Sequence, residues 1–374
     1  MKVLLITAAF YPGNSPRSFR ATELARELAR QGHHVVVATP DQGNIHREKS
    51  IEWKLVIEDK APEISAALRS RYFTNPMFAR IGNRLAEWVF EYPDIQYYGW
   101  AKKIATLYSG FDLMITIAAP HAIHWGVAAS IHATKHKAAG TWIADCGDPF
   151  MGSKMNALPK MPWFAFFEHR FCQMTDFITV PVQEAVPAYY PAYRYKIKII
   201  PQGFNFEEST GFRKEYVKNQ IPTFGFAGSL SPNKRDPRKM LEYLIKARRP
   251  FLFVLYTNAA HLVNSLADKS DGRIIVKPYI PREELIGELS TMDFLVNFEN
   301  EVSEQVPSKL IDYYLMGRPV VSIHADTDFD VVLRSFLDGD YSNAMTYSNP
   351  DEYNIVNVAN KFLALSNNND NGTK

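Results

Sequence analysis

The sequence predicts an α/β protein made of two doubly wound parallel-sheet domains. Short, continuously apolar runs alternate with longer amphipathic segments, as expected when strands buried on both faces of a parallel sheet alternate with helices. This alternation occurs in two successive series that a polar, turn-rich stretch separates. The chain has 374 residues, which is enough for two hydrophobic cores.

The first series begins with the apolar run KVLLITA. A predicted helix follows, with Ser15 as its candidate N-cap, Pro16 in its first turn and Gly32 as its stop signal. Four later runs have strand character: HVVVAT, FDLMITIAA, GTWIAD and DFITVPV. The second series contributes five more: TFGFAGSL, FLFVLYT, RIIVKPYI, DFLVNFE and GRPVVSIH.

These patterns give the predicted domain organisation. We expect an N-terminal domain over residues 1–200, a linker over 201–222 and a C-terminal domain over 223–350. A helix over 351–365 is a candidate for packing back on the first domain, and 366–374 form a predicted disordered tail. Two such sheets in tandem usually face each other across a cleft, with ligands at the carboxyl ends of the strands.

Composition excludes several classes of function. Lys and Arg total 42 against 40 acidic residues, so net charge offers no argument for nucleic-acid binding. The two cysteines, Cys146 and Cys172, form no paired spacing, which favours a reducing compartment and a cytoplasmic location. No apolar run approaches the roughly 20 residues that span a bilayer, so any membrane contact is expected to be peripheral.

The loop after the first strand lacks the G-x-G-x-x-G fingerprint, which argues against a nicotinamide or flavin dehydrogenase. Gly13 in this loop allows close backbone approach to a ligand, and an ordinary tight turn explains it equally well. The loop after TFGFAG carries four cations that are suited to a diphosphate or, alternatively, to a solvated basic surface: Lys234, Arg235, Arg238 and Lys239.

A second candidate site lies in the segment SEQVPSKLIDYYLMGRPVV. Pro307 and Ser308 begin a predicted helix whose free amides suit a diphosphate. Asp312, about one turn in, is placed to accept hydrogen bonds from ribose hydroxyls, and Glu304 lies before the helix. The alternative is that Asp312 is only a favourable charge near a helix N-terminus and that Glu304 is an ordinary loop acid.

These segments resemble the retaining GT-B glycosyltransferases of family 4, in a branch common in surface-polysaccharide assembly. The signature glutamate, second acid and G-x-P-V-V correspond to Glu304, Asp312 and the segment that begins at Gly317, although the second acid is usually glutamate. GSLSPNKRDPR is similar to the branch's phosphate-binding segment. Many relatives have arginine where this chain has Ser229.

Segments of the first half carry the resemblance further. YPGNSPRSFRATELARELARQGHHVVVAT resembles the branch's first loop and helix, with Arg20 at a recurring arginine position. PDIQYYGWAKK, APHAIHWG and WIADCGDPF resemble acceptor-domain segments. The last usually reads D-F-R-D-P-W, so Cys146 and Gly147 replace an aromatic residue and an arginine.

The resemblance implies two Rossmann-like domains that face each other across a cleft, with a nucleotide-sugar donor in the C-terminal domain. It assigns catalysis to Glu304, Arg235 and Lys234, with either cation as the diphosphate contact. The implied donor-binding residues are Gly13, Arg20, Gly228, Ser229, Tyr279, Ile280, Pro307, Ser308, Lys309 and Asp312. No metal or cofactor is implied, and the acid-rich runs DTDFD and DGD have no strand arrangement that matches a metal site.

The predicted acceptor is a glycan or a polyprenyl-diphosphate-linked oligosaccharide, with His121 and Asp148 as candidate contacts. Arg and aromatic residues are interleaved over 69–100, which suits either an anionic lipid surface on the cytoplasmic face of the inner membrane or an internally packed helix. Two alternatives to a glycosyltransferase of hexosyl type remain. One is a nucleotide-sugar epimerase of the same fold, and the other is a catalytically weak binding subunit of a polysaccharide assembly complex.

Overall fold

The computed structural model divides the chain into two compact units. Unit 1 comprises Met1–Gly203 and Ile355–Lys374, and unit 2 comprises Phe204–Asn354. The structure describes nine segments of the chain: residues 1–13, 15–40, 76–153, 158–232, 235–247, 249–299, 308–324, 326–347 and 349–370.

Unit 1 is a parallel six-stranded sheet flanked by helices. Its strands are β1 (Lys2–Thr7), β2 (His34–Ala38), β3 (Phe111–Ile117), β4 (Ala139–Asp145), β5 (Phe177–Val180) and β6 (Ile197–Ile199). The sheet order is β2-β1-β3-β4-β5-β6. The α-helices are α1 (Pro16–Arg30), α2 (Pro76–Phe90), α3 (Gln96–Leu107), α4 (Ala122–Thr134), α5 (Phe164–Met174) and, at the end of the chain, α12 (Ile355–Asp370).

Strand β1 shows why the sheet is apolar on both faces. Leu4 and Ile6 belong to one hydrophobic cluster, and Val3 and Leu5 belong to another on the opposite face. All four side chains are fully buried. Because side chains alternate between faces, a strand covered on both sides is apolar at successive positions.

Local signals set the ends of helix α1 as predicted. The Ser15 hydroxyl oxygen accepts a hydrogen bond from the Ser18 amide at 3.1 Å, and Pro16 occupies the first turn. Gly32, at a φ of +85°, follows the helix in the left-handed region that glycine enters without strain. The predicted cap and stop are confirmed.

Unit 2 is a parallel five-stranded sheet. Its strands are β7 (Thr223–Ala227), β8 (Leu252–Tyr256), β9 (Ile274–Lys277), β10 (Phe294–Phe298) and β11 (Val320–Ile323), in the order β11-β10-β7-β8-β9. Its α-helices are α6 (Phe206–Gly211), α7 (Arg238–Lys246), α8 (Asn264–Ala267), α9 (Arg282–Ser290), α10 (Ser308–Met316) and α11 (Val332–Leu337). On one face, Phe224 stacks between Phe294 and Phe253, with ring centroids 4.5 and 4.7 Å away.

The prediction of two parallel-sheet α/β domains is confirmed, with three local differences. Strand β6 was not predicted, because three residues that alternate only partly in burial give little periodic signal. The stretch expected to be a linker contains α6. Asn205 caps the N-terminus of this helix by accepting a hydrogen bond from the Glu208 amide at 3.0 Å. Helix α12 continues to Asp370, past position 365. Ser366 is still buried, and a formed helix propagates easily over one more turn.

A buried ion pair connects α1 to the carboxyl ends of three strands in unit 1. Arg20 donates two hydrogen bonds to Asp145, at 2.5 and 2.7 Å, and the two side chains are 4% and 0% exposed. Thr179 in β5 also donates to Asp145, at 2.7 Å. Arg20 further donates to the Pro201 carbonyl oxygen, beyond β6, at 2.6 Å.

No helix within the described segments is both long and apolar enough to span a bilayer.

We expect Arg20→Met to lower the free energy of unfolding of the protein by about 3–5 kcal/mol, because Asp145 would keep a buried charge without its cation. A control is Lys214→Met in unit 2. The Lys214 side chain is 58% exposed and its partner Glu288 is 42% exposed, so its loss should cost under about 1 kcal/mol. Urea denaturation of the two variants measures both values. Equal losses would contradict a dominant role for the buried pair.

Candidate functional site

The carboxyl end of β7 leads into the loop predicted to approach the donor. The Gly228 amide donates to the Tyr256 carbonyl oxygen in β8 at 3.0 Å, which holds this loop against the sheet edge. Gly228 has a φ of +152°, and a Cβ here would lie 3.2 Å from the Phe226 ring. Ser229, the next residue, is exposed. The position therefore favours glycine, and its backbone lies at the strand end.

The basic loop after β7 turns back on itself. Ser231 and Arg235 exchange backbone hydrogen bonds of 3.0 and 3.2 Å, which places Arg235 close behind the strand end. Arg238 pairs with Asp236, with its Nη2 2.6 Å from Oδ2, so its charge already has a local partner. Lys234 lies outside the described residues. Arg235 therefore lies next to the sheet edge at which the donor is predicted to bind.

Arg235 lies near the loop that follows β9. Burial raises the pKa of Tyr279, and the positive charge of Arg235 opposes that rise, as expected for two groups near each other. The Tyr279 side chain is half exposed, and Ile280 follows it at the start of the turn into α9. The β7 and β9 loops that were predicted to hold the donor are therefore within electrostatic range of each other.

Helix α10 packs against the end of β7. The Tyr313 hydroxyl oxygen accepts from the Ala227 amide at 2.9 Å, and Tyr313 is fully buried. Ser308 and Lys309 form the first turn of this helix, and Gly317 ends it at a φ of +68°. The helix and its glycine stop follow the prediction.

Asp312 on α10 has a cationic partner that the sequence did not indicate. Arg282, the first residue of α9, donates to Asp312 Oδ1 from Nε at 3.1 Å and from Nη2 at 2.6 Å. Nη2 also donates to the Ser209 hydroxyl oxygen of α6 at 3.0 Å. Burial raises the pKa of Asp312, whereas Arg282 acts to lower it. Arg282 thereby favours the ionised, hydrogen-bond-accepting carboxylate that a ribose contact requires.

Glu304 and Pro307 lie outside the described residues. Two other predicted donor-binding residues have structural partners in unit 1. Arg20 is buried in the ion pair with Asp145. Gly13 donates from its amide to the Phe10 carbonyl oxygen at 2.9 Å, and a Cβ on Gly13 would lie 2.9 Å from that same oxygen. This contact forms a tight turn, which is the alternative explanation of Gly13.

The two predicted acceptor residues meet in unit 1. His121 Nε2 lies 3.1 Å from the Asp148 carbonyl oxygen, and Asp148 Oδ2 accepts from Arg17 Nη2 at 2.7 Å. Burial lowers the pKa of His121 to about 4, so its imidazole is neutral near pH 7. A neutral imidazole presents one N–H and one lone pair. The Nε2 contact with a carbonyl oxygen places the proton on Nε2.

Arg17 is a site residue that the sequence did not identify. Its guanidinium atoms lie about where a side chain on Gly147 would begin, 1.9 to 2.2 Å from an ideal Cβ at that position. The motif that WIADCGDPF resembles has arginine at this position. In this chain a guanidinium from α1 occupies the space instead and pairs with Asp148. Only the fold brings residues 17 and 147 together, so no local motif could signal this exchange.

Glu168 on α5 is a second residue that the sequence analysis missed. Its side chain is 1% exposed, and burial raises its pKa to about 7. Its Oε1 accepts from the Met151 amide, just after the predicted acceptor segment, at 3.4 Å. A carboxyl group that titrates near neutrality beside this segment is suited to proton exchange.

Unit 1 also exposes an apolar surface where the end of α2 meets the start of α5. The Trp163 indole nitrogen donates to the Val89 carbonyl oxygen at 3.1 Å, which joins these two elements. Three large side chains here are exposed by 44 to 62%: Phe90, Trp163 and Phe166. Arg170 lies over the Phe166 ring, 4.4 Å from its centroid. We call these four residues the aromatic surface.

Solved structures share the fold of the whole chain. Sucrose-phosphate synthase from Thermosynechococcus elongatus superposes with a TM-score of 0.59 at 12% identity, over 100% of both chains. The catalytic domain of starch synthase IV from Arabidopsis thaliana, bound to ADP and acarbose, gives 0.57 at 11% identity over 99% of both chains. UDP-GlcNAc 2-epimerase from Neisseria meningitidis, bound to UDP-GlcNAc, gives 0.54 at 10% identity over 98% of this chain and 99% of its own.

The chain has the GT-B fold, in which both glycosyltransferases and an epimerase are found. No family model matches the sequence. No curated protein matches it either. The solved structures that share the fold therefore confirm the predicted GT-B fold class.

Proposed function

We propose that the protein is a retaining glycosyltransferase of family 4 that moves a sugar, of hexosyl type, from a nucleotide-sugar donor to a glycan or lipid-linked oligosaccharide in surface-polysaccharide assembly. The observation that carries this proposal is the Asp312–Arg282 pair, which lies in the same unit as the neighbouring Arg235 and Tyr279 loops. An ionised carboxylate, a cation and exposed main-chain edges are the groups that a nucleoside diphosphate requires.

Each donor-binding group has a role in this proposal. Asp312 accepts hydrogen bonds from the ribose hydroxyls, and Arg282 holds that carboxylate in place. Arg235, with Lys234, binds the diphosphate, while the backbones of Tyr279 and Ile280 contact the base. The amides at the start of α10, around Ser308 and Lys309 and next to Pro307, add a partial positive charge toward the phosphates.

The proposed reaction breaks the bond between the sugar C1 and the diphosphate oxygen and forms a bond from C1 to an acceptor hydroxyl oxygen. The acceptor proton passes to the departing diphosphate. Negative charge grows on that leaving group, and preorganised cations and amides stabilise it without a divalent metal. Glu304 contacts the donor sugar hydroxyls. Attack from the leaving-group side accounts for retention of configuration.

In unit 1 we propose that the Asp148 loop contacts the acceptor, with Arg17 and His121 holding it in position. The aromatic surface supports a peripheral contact with anionic lipid on the cytoplasmic face of the inner membrane, where a polyprenyl-diphosphate acceptor is embedded. Exposed aromatic side chains beside a cation are the composition that binds at a membrane interface.

An epimerase is the second candidate, because the UDP-GlcNAc 2-epimerase that shares this fold is seen with a nucleotide-sugar. The two functions share the donor site and differ in the fate of the donor. A transferase releases one nucleoside diphosphate for each sugar transferred, whereas an epimerase returns an isomerised nucleotide-sugar without needing an acceptor.

We expect one of UDP, GDP, dTDP or ADP to raise the melting temperature of the wild type in the presence of EDTA. A ligand at a hundredfold excess over its dissociation constant adds about 2.7 kcal/mol of stability. Asp312→Asn should weaken that ligand about 10-fold or more, since it removes hydrogen bonds to a charged acceptor. Asp326→Asn, at an exposed acid of the same unit, is the control and should bind normally. If no diphosphate stabilises the wild type at millimolar concentration, the proposed donor site is wrong.

With the donor base known, we expect Glu304→Gln to retain nucleoside diphosphate binding and to lose about 100-fold or more in sugar transfer. The reason is that a contact with the donor sugar acts mainly as charge develops. Transfer of a radiolabelled sugar to a membrane-extract acceptor measures the rate. Isomerised nucleotide-sugar formed by the wild type without acceptor would instead identify the epimerase.

We expect the protein to co-float with vesicles of phosphatidylglycerol and phosphatidylcholine at low salt. Phe90→Ser combined with Phe166→Ser should reduce the bound fraction several-fold, because both side chains supply apolar area to the interface. Val217→Ser changes a side chain in unit 2 that is 73% exposed and should leave binding unchanged. Equal binding by all three proteins would argue against the aromatic surface as the membrane contact.

A further inference from the structure

Three metal-ligating side chains converge in the core of unit 1. They are His121 and His124, at the start of α4, and Cys146, directly after β4. One ligand atom from each residue lies within 4.8 Å of the other two. The shortest recorded separation joins Cys146 Sγ to His124 Nε2, at 3.6 Å. His124 is 0% and Cys146 1% exposed, so these two side chains are shielded from water.

The second nitrogen of each histidine is already held by an oxygen. His121 Nε2 lies 3.1 Å from the Asp148 carbonyl oxygen. His124 Nδ1 lies 2.8 Å from the Thr116 hydroxyl oxygen, which also accepts from the Trp142 indole nitrogen at 2.9 Å. In metal sites, a hydrogen bond from the non-ligating N–H to an oxygen fixes the tautomer and aims the other nitrogen at the ion.

The remaining nitrogens are suited to ligation. His121 Nδ1 is buried and has no hydrogen-bond partner among the described residues, which is an unusual state for a polar atom in a core. His124 Nε2 faces the thiol of Cys146. An ion bound between these two nitrogens would accept the lone pair of each imidazole and one lone pair of the Cys146 sulfur.

Burial keeps the two imidazoles neutral but opposes ionisation of the thiol. Burial lowers the pKa of His121 to about 4 and that of His124 well below its usual range, so both are neutral, as metal ligands must be. Burial raises the pKa of the Cys146 thiol, so a bound cation has to displace its proton to solvent. The Arg17 charge opposes a cation here, and its ion pair with Asp148 offsets part of that effect.

We propose that His121 Nδ1, His124 Nε2 and Cys146 Sγ bind one divalent transition-metal ion of the zinc class. Two imidazole nitrogens and a thiolate suit zinc, whereas magnesium and calcium require oxygen ligands. Three protein ligands leave a fourth position for a water molecule or another ligand. The ion joins α4 to the end of β4. This proposal does not depend on the nucleotide-sugar reaction, whose proposed donor site is in unit 2.

The test is metal content and a cobalt spectrum of the untagged full chain. Protein prepared with zinc and then dialysed into metal-free buffer should retain about one zinc ion per chain, as measured by inductively coupled plasma mass spectrometry. After chelation, added Co²⁺ should produce a thiolate-to-cobalt charge-transfer band and the strong visible bands of a four-coordinate site. The wild-type melting temperature should fall on chelation and recover on adding zinc.

Cys146→Ser should remove the charge-transfer band and weaken zinc binding about 100-fold, judged by competition with a chromophoric chelator. Cys172→Ser is the matched control, since Cys172 is the other buried cysteine of unit 1 and lies outside the cluster. His121→Ala provides a second ligand variant should Cys146→Ser not fold. Wild type without zinc and without the cobalt band overturns the proposal, as does the same band in the Cys146 and Cys172 variants.

Discussion

Parallel strand pairing is the constraint on which the rest of this structure depends. Parallel strands leave all their carboxyl ends at one edge, and each crossover helix must cover a face of the sheet. Both sheets of this protein are therefore covered by hydrophobic clusters on both faces, and the candidate donor and acceptor groups lie at or beyond the strand ends. The Gly228 loop, the Tyr279 loop and the Asp145 carboxylate all lie at such edges.

Charge at these edges is organised by long-range pairs. In unit 1, Arg20 binds a carboxylate at the end of β4 and carbonyl oxygens beyond β6. These hydrogen bonds join the ends of the two strands. In unit 2, Arg282 holds Asp312 from a different helix. The first pair is sealed from water and serves the fold. The second is 33% and 23% exposed and remains accessible to a ligand.

The segment around Asp148 combines support for the fold with potential function. The Arg17 guanidinium fills the space beside Gly147, and His121 binds the backbone of the same loop. The Arg17 cation beside Asp148 therefore depends on the placement of α1. The cluster of two histidines and Cys146 contacts this loop through His121, whose Nε2 lies 3.1 Å from the Asp148 carbonyl oxygen. The edge of the sheet, the Asp148 loop and the cluster of His121, His124 and Cys146 are thus connected by direct contacts.

The sequence by itself determined the fold class and ten of the eleven strands, because continuous apolar runs and helix caps are local signals that tertiary packing reinforces. It also predicted the helix that carries Asp312 and the strand end before Gly228, since helix starts and strand ends are readable from short motifs. Tertiary structure alone decided the partners: Arg282 for Asp312, Asp145 for Arg20, Arg17 for Asp148 and the histidines for Cys146. The members of these pairs are 22 to 131 residues apart in the sequence. Local periodicity therefore carries no information about which residues the fold brings together.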